Sequence, residues 1–166
     1  GRVIPNMKQL MTQAKFLHGA NKAGNCNACH NPHGQTRPDF LERNFPESFY
    51  ARFDVNKYEL CWSCHERQLV LTAKTYSLTN FRDGQRNLHF VHVNRQQKGR
   101  TCRTCHAVHG SDLPHHMASQ VPFSGSKWPL EVGFENTPVG GRCATSCHKP
   151  QEYNRNRILP PQPSAG

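Results

Sequence analysis

One short pattern occurs four times in this chain and uses every cysteine. In three copies, at residues 26–30, 61–65 and 102–106, two cysteines are separated by two residues and a histidine directly follows the second. The fourth copy, at 143–148, has three residues between its cysteines and keeps the histidine. The eight cysteines are Cys26, Cys29, Cys61, Cys64, Cys102, Cys105, Cys143 and Cys147. A fold for this chain must therefore hold each pair of thiols and its imidazole close together.

This spacing is the signature of c-type haem attachment. The two thiols add to the vinyl groups on one side of the porphyrin, and the next side chain then lies beneath the iron, where a histidine becomes the proximal ligand. We therefore predict four covalently bound haem c groups. Zinc binding and four disulfide bonds are the alternatives that use the same cysteines, but neither requires a histidine after each second cysteine. The predicted proximal ligands are His30, His65, His106 and His148.

Seven further histidines can supply a second ligand to the irons, one of them His115. Four are the first choices because an internal repeat places them equivalently; these are His18, His33, His92 and His109. His89 and His116 are reserve candidates. Methionine is the alternative distal ligand, although Met7 and Met11 lie on a helical stripe that favours packing. Because the seven candidate histidines outnumber the four irons that need a second ligand, we expect every iron to have both axial positions filled. Filled coordination favours an electron carrier over an enzyme.

The order of motifs and histidines predicts one tetrahaem domain over residues 1–166. A motif followed three residues later by a histidine precedes a bare motif in each half of the chain. We interpret this as two di-haem halves, at about 14–70 and 86–150, with a proline-rich tail at 158–166.

The composition predicts a fold that depends on its cofactors. Only 35% of the residues are hydrophobic, and the chain has 12 glycines and 12 prolines. Such a chain has little apolar surface with which to build a core. We therefore expect a mostly irregular fold with a few short α-helices and little strand, wrapped around four haems.

The charge of +10 at pH 7 would ordinarily indicate an anionic partner. Eight haem propionates offset this charge, and four ferric bis-histidine centres return part of it, to leave roughly +6. We therefore interpret the lysines and arginines as propionate partners and expect no nucleic-acid binding. The absence of an 18-residue apolar run predicts no membrane span.

Thioether attachment takes place outside the cytoplasm. We therefore expect an exported protein, periplasmic or extracellular, from which a signal sequence was removed near Gly1. Its expected partners are other redox proteins or extracellular electron acceptors.

Local patterns predict several elements between the motifs. Residues 6–18 should form a helix that starts at Pro5 and Asn6 and ends at Gly19, and 57–70 should hold a short helix. Residues 88–93 are β-branched and apolar and should be extended, after a turn at 80–87. Residues 35–55 should be irregular, with aromatic rings against haem edges. Residues 111–142 should be loop, and 160–163 an extended tail.

The combination of a motif at 26–30, His33 and a bare motif at 61–65 resembles the doubled-CXXCH multihaem cytochromes. The run 87–93, followed by 99–102, also resembles exported polyhaem cytochromes of metal-respiring bacteria. The resemblance covers most of residues 14–150, and the longer fourth motif departs from it. It implies electron transfer along closely stacked haems. Some tetrahaem relatives polymerise into extracellular filaments, in which one distal histidine comes from the next subunit.

Three functional hypotheses remain open from the sequence. The chain could be a subunit of a polymerising filament, a soluble periplasmic electron shuttle, or the electron-feeding subunit of a multihaem reductase. For bis-histidine haems we expect low potentials, because two imidazoles and solvent exposure favour ferric iron.

Overall fold

The computed structural model describes residues 6–33, 36–123 and 128–158. Within these ranges the helices are short. The α-helices are α1 (Met7–Gln13), α2 (Gly19–Lys22), α3 (Glu59–Trp62), α4 (Gln68–Leu71) and α5 (Leu88–Val93). Single 3₁₀ turns lie at Cys26–Ala28, Pro38–Phe40, Val55–Tyr58, Cys102–Thr104 and Pro114–His116.

Short strands connect these turns into small antiparallel sheets. In chain order the strands are β1 (Phe16–Leu17), β2 (Tyr50–Ala51), β3 (Arg82–Asp83), β4 (Arg86–Asn87), β5 (Gly99–Arg100), β6 (Gly110–Ser111), β7 (Gln120–Pro122), β8 (Pro129–Glu131), β9 (Phe134–Thr137), β10 (Gly140–Cys143) and β11 (Gln151–Asn154). The pairs are β1–β6, β2–β5, β3–β4 and β7–β8, and β10 lies between β9 and β11.

The expectation of a few short helices is confirmed, whereas the several small antiparallel sheets do not clearly fit the expectation of little strand. Several of the pairings join segments far apart in the chain. Phe16 pairs with Ser111, and Tyr50 pairs with Arg100. Strands of two residues carry almost no periodic signal, so the sequence pattern alone does not reveal them.

The predicted helix over 6–18 is shorter than expected. Helix α1 ends at Gln13, Ala14 is extended, and β1 follows. The backbone N–H of Lys15 donates to the Asp112 carboxylate at 3.0 Å, so the distant β6 segment draws the chain out of the helix. Gly19 begins α2 and does not end a helix. Pro5 and the tail from residue 159 onward lie outside the described residues.

The prediction that 88–93 is extended is wrong, because these residues form α5. The side-chain oxygen of Asn87 accepts hydrogen bonds from the backbone N–H groups of His89 and Phe90 and so caps the helix. Capping by an asparagine side chain satisfies amide groups that have no partner inside the helix. This local contact outweighs the preference of the β-branched residues for extended backbone.

Two other local predictions hold in part. The expected helix near 57–70 is present as α3 and α4, which an attachment turn separates. Within the predicted turn at 80–87, residues 82–87 form the β3–β4 hairpin, with Gly84 at a φ of +54°. The described part of 111–142 contains strands and is not simply loop.

The hydrophobic core consists of two small clusters. Core cluster 1 comprises Phe49, Met117, Ala118, Val121 and Val132, with Cys105 packed against it. Core cluster 2 comprises Tyr58, Val70 and Val93, with Cys102 packed against it. Each cluster therefore contacts an attachment cysteine. The aromatic residues Phe45 and Phe53 pack on core cluster 2. The described part of 35–55 also contains a 3₁₀ turn at Pro38–Phe40 and strand β2.

Across the described ranges, each helix falls short of the length and apolar character that a membrane span requires.

We predict that Gly99→Ala destabilises the fold. A Cβ atom at Gly99 would lie 2.6 Å from the Ala51 carbonyl oxygen and 2.7 Å from that of Val93, so backbone on two sides would have to move. Such overpacking should lower the free energy of unfolding by about 2 kcal/mol or more. Denaturant titration of the haem-loaded protein, followed by far-ultraviolet circular dichroism, measures the change.

Gly19→Ala is the matched control. Nothing lies within 4 Å of a Cβ at Gly19, the first residue of α2, so this variant should be as stable as the parent or slightly more stable. Equal stability of the two variants would contradict the packing argument.

Candidate haem attachment sites

The first three motifs share one backbone geometry. In the first, the N–H groups of Cys29 and His30 both donate to the Cys26 carbonyl oxygen, at 3.2 and 3.0 Å. The same two bonds, to the carbonyls of the first cysteines, are 3.2 and 2.9 Å in the second motif and 3.3 and 3.0 Å in the third. A single tight turn therefore holds both thiols and the histidine in each copy.

The fourth motif folds differently. Cys143 ends strand β10, and the N–H of Cys147 donates to the Thr145 hydroxyl at 3.1 Å. The extra residue thus replaces the backbone turn with a side-chain turn. His148 still follows Cys147 directly, and its Nδ1 donates to the Lys149 carbonyl oxygen at 2.7 Å.

All eight thiols are free. Within the described ranges, no three His, Cys, Asp or Glu side chains come together as a metal site.

The first and third motifs are followed by the same structure. Nine residues after each histidine, a carbonyl oxygen accepts a hydrogen bond from its Nδ1: Asp39 for His30, at 2.9 Å, and His115 for His106, at 3.0 Å. Each accepting residue lies in a 3₁₀ turn and has a positive φ, +55° at Asp39 and +57° at His115. Because Nδ1 carries the proton, Nε2 is left free to bind a metal.

Three pairs of imidazoles face each other at similar distances. The ring centres of His30 and His109 are 6.0 Å apart and tilted by 16°, and those of His106 and His89 are 6.3 Å apart and tilted by 13°. His65 and His18 are 5.9 Å apart and tilted by 47°. An imidazole nitrogen binds a metal at about 2 Å, so two imidazoles on opposite sides of one iron have ring centres about 6 Å apart. Each pair joins one predicted proximal histidine to a second histidine at this spacing.

Burial favours the neutral form of four of these rings, which is the form that binds a metal. Burial, aided by the charges of His106 and His92, lowers the pKa of His89 to about 3. Burial is also the main cause that lowers the pKa of His18, His106 and His109.

His92 lies near the fourth motif. Its Nδ1 donates to the Leu88 carbonyl oxygen at 2.7 Å, which leaves Nε2 free. Its pKa is lowered chiefly by burial, and the charge of His148 contributes. Phe81 stacks on His92 at 5.6 Å and contacts Tyr153, which follows the fourth motif.

Two of the other candidates occupy different surroundings. His33 is exposed, and the ring contacts of the described residues do not include it. The His116 ring lies 5.5 Å from that of His18, and its Nδ1 is buried with no hydrogen-bond partner among the described residues. The sequence repeat thus favoured His33, whereas the geometry favours His89, a reserve candidate. The sequence feature that points to His89 is its position two residues after Asn87, because Asn87 caps the helix that carries this histidine.

The attachment sites follow one another in space as they do in sequence. After burial, the nearby thiols of Cys61 and Cys64 raise the pKa of Cys29. An interaction between the neighbouring Cys61 and Cys102 thiols lowers the pKa of Cys61 and raises that of Cys102. Burial, and then the nearby Cys143, raise the pKa of Cys105 to about 11.

Residues 18–69 match the family described as the doubled CXXCH motif. The match covers roughly a third of the chain and includes the first two motifs. No curated protein and no solved structure matches the chain. The attachment turns and this match indicate covalent attachment of c-type haem. More particularly, the match confirms the resemblance of this segment to the doubled-CXXCH proteins and supports a multihaem c-type cytochrome involved in electron transfer.

We predict that Asn87→Ala strongly destabilises the protein. The Asn87 side chain is fully buried, donates to the carbonyls of Leu69 and Thr72, and caps the helix that carries His89 and His92. Loss of these bonds should lower the free energy of unfolding by about 2–4 kcal/mol, as measured by denaturant titration.

Asn6→Ala is the control for this prediction. Asn6 caps the exposed helix α1 through one hydrogen bond from Gln9, at 3.1 Å. Its loss should cost about 1 kcal/mol or less. If both variants lost the same stability, the network around Asn87 would have no special role.

Proposed function

We propose that this chain is a tetrahaem c-type electron carrier in which two histidines bind each iron. The observation that carries the proposal is the facing of imidazole pairs at 5.9 to 6.3 Å, each pair including the histidine of an attachment motif. The family match supports haem attachment, and the number four comes from the four motifs.

The ring pairs lead to a specific proposal for the ligands. His109 is the distal ligand opposite His30, His18 is opposite His65, and His89 is opposite His106. For the fourth site we propose His92 opposite His148, because the charge of His148 acts on His92 and both Nδ1 atoms donate to carbonyls.

Filled coordination favours an electron carrier over an enzyme. Haem iron with two imidazole ligands exchanges electrons between its ferric and ferrous states and has no open position for a substrate. The chain sets the order of the haem sites, because the thiols of each motif lie near those of the next, from the first motif to the fourth.

The proposal includes export to the periplasm or the cell surface and electron exchange with other redox proteins or extracellular acceptors. The exposed thiols of Cys26, Cys64 and Cys147 support it, because they bring the edges of three sites to the surface. A soluble periplasmic shuttle and the electron-feeding subunit of a multihaem reductase are both consistent with such edges.

Self-assembly into filaments is the second candidate function; in it the exposed His33 would bind an iron of the next subunit in place of one of the distal ligands assigned above. Eleven histidines exceed the eight ligands that four irons need, and His33 lies at the surface beside the first motif. Negative-stain microscopy of native material tests this candidate: filaments that shorten or disappear in His33→Ala would support it, and dispersed particles in the parent protein would exclude it.

We predict that His109→Ala and His33→Ala have different effects on the irons of the isolated protein. Loss of His109 removes the ligand opposite His30, so about one iron in four should become high-spin and bind cyanide. His33→Ala should leave all irons low-spin. Electron paramagnetic resonance and visible spectra, with and without cyanide, measure both changes.

Intact-protein mass gives the number of attached haems in each variant. High-spin iron in His33→Ala together with an unchanged spectrum in His109→Ala would overturn the ligand assignment. A high-spin, cyanide-binding iron in the parent protein would contradict the proposal that the chain is an electron carrier with two histidines on each iron.

A further inference from the structure

The His89 imidazole has a side-chain hydrogen-bond partner outside its own helix. Its Nδ1 lies 3.1 Å from the Thr79 hydroxyl oxygen, and both residues are half-buried. Four other histidine rings in the described ranges bond through Nδ1 to backbone carbonyl oxygens; they are His30, His92, His106 and His148. A substitution removes a side-chain acceptor but leaves a backbone carbonyl in place, so the contact of His89 is the one that mutation can test.

The segment before strand β3 fixes the position of Thr79. The backbone N–H of Phe81 donates to the Thr79 hydroxyl oxygen at 3.0 Å. The Phe81 carbonyl oxygen accepts from the N–H of Leu88, the first residue of α5, at 3.0 Å. The Phe81 ring also lies edge-on to that of His89, with 5.1 Å between ring centres. The Thr79 hydroxyl is therefore held against the helix that carries His89.

Iron binding determines the direction of this hydrogen bond. A neutral imidazole has one proton, which either ring nitrogen can carry. When Nε2 of His89 binds iron, the proton is on Nδ1, so the ring donates and the Thr79 oxygen accepts. In the opposite direction the Thr79 hydroxyl donates to Nδ1, which places the ring proton on Nε2 and blocks that atom as a ligand. The Thr79 oxygen also accepts from Phe81, and its two lone pairs allow both bonds.

We propose that Thr79 is a positioning residue for the third haem: its hydroxyl oxygen accepts the Nδ1 proton of His89, fixes the orientation of the imidazole and strengthens it as a ligand. This inference rests on the proposed function, in which His89 is the distal ligand opposite His106. The two rings are 6.3 Å apart and tilted by 13°.

The same hydrogen bond affects the redox potential of the third haem. An acceptor at the second ring nitrogen raises the basicity of a metal-bound imidazole. A more basic ligand stabilises ferric iron relative to ferrous iron, and hydrogen bonds around the ligands are one of the means by which a protein sets a haem potential. Thr79 therefore lowers the midpoint potential of this haem.

Redox titration of the haem-loaded protein tests the proposal. Thr79→Val removes the acceptor at nearly constant volume, so the midpoint potential of the third haem should shift to higher values. Thr79→Ser keeps the hydroxyl and should retain the potential of the parent protein. Thr72→Val is the matched control, because the half-buried Thr72 donates to the side-chain oxygen of Gln68 at 3.0 Å. Its four potentials should equal those of the parent protein.

Nuclear magnetic resonance of the fully reduced parent protein gives a second readout that requires no variant to fold. Low-spin ferrous iron is diamagnetic, so with ¹⁵N-labelled histidine the Nδ1 proton of His89 should be visible and should exchange slowly with water. It should show nuclear Overhauser contacts to the Thr79 methyl protons. If Thr79→Val does not load four haems, this resonance in the parent protein decides the question.

Two results would overturn the role of Thr79 while the proposed function stands. One is a set of unchanged potentials in Thr79→Val protein that carries four low-spin haems. The other is a His89 Nδ1 proton in the parent protein that exchanges rapidly and has no contact with Thr79. The ligand assignment itself fails if His89→Ala leaves every iron low-spin and unable to bind cyanide, and the role of Thr79 then fails with it.

Discussion

The backbone carbonyl of His109 connects two segments on which the rest of the arrangement depends. It accepts a hydrogen bond from the N–H of His18 at 3.3 Å and another from the Asn21 side chain at 2.7 Å. Together with the β1–β6 pairing, these bonds hold the N-terminal segment against the segment that follows the third motif. The imidazole of His18 then faces His65, and that of His109 faces His30. A few hydrogen bonds thus orient two imidazole pairs.

The apolar contribution to stability is small. The described residues contain two small hydrophobic clusters, and each includes an attachment cysteine at its edge. Burial of apolar surface stabilises a fold by roughly 25 cal/mol per Å², and a chain with 35% hydrophobic residues has limited surface to bury. Haem attached at Cys105 and Cys102 would add apolar surface beside both clusters.

The attachment turns could be predicted from sequence, because the chemistry of thioether attachment fixes their spacing. Helix α5 also has a signal in the sequence, the capping residue Asn87, but the β-branched residues after it favour extended backbone. The partner of each histidine could not, because it depends on contacts such as Phe16 with Ser111 that join distant, very short strands. His33 and His109 occupy equivalent positions after their motifs. The carbonyl of His109 accepts a hydrogen bond from His18, which directly follows β1, whereas the described side chain of His33 is exposed.

The 3₁₀ turns that follow the first and third motifs have the same backbone conformation but carry different side chains. Asp39 and Phe40 follow the first motif, and His115 and His116 occupy the same positions after the third, all with positive φ. The Asp39 carboxylate lies 3.7 Å from the Arg103 guanidinium of the third motif, so the two repeats are neighbours. Phe40 is exposed, whereas His116 lies 5.5 Å from His18. The carbonyl groups of both turns orient a motif histidine in the same way, which leaves the side chains free to differ. The common backbone therefore serves haem attachment, and the differing side chains distinguish the environments of the sites.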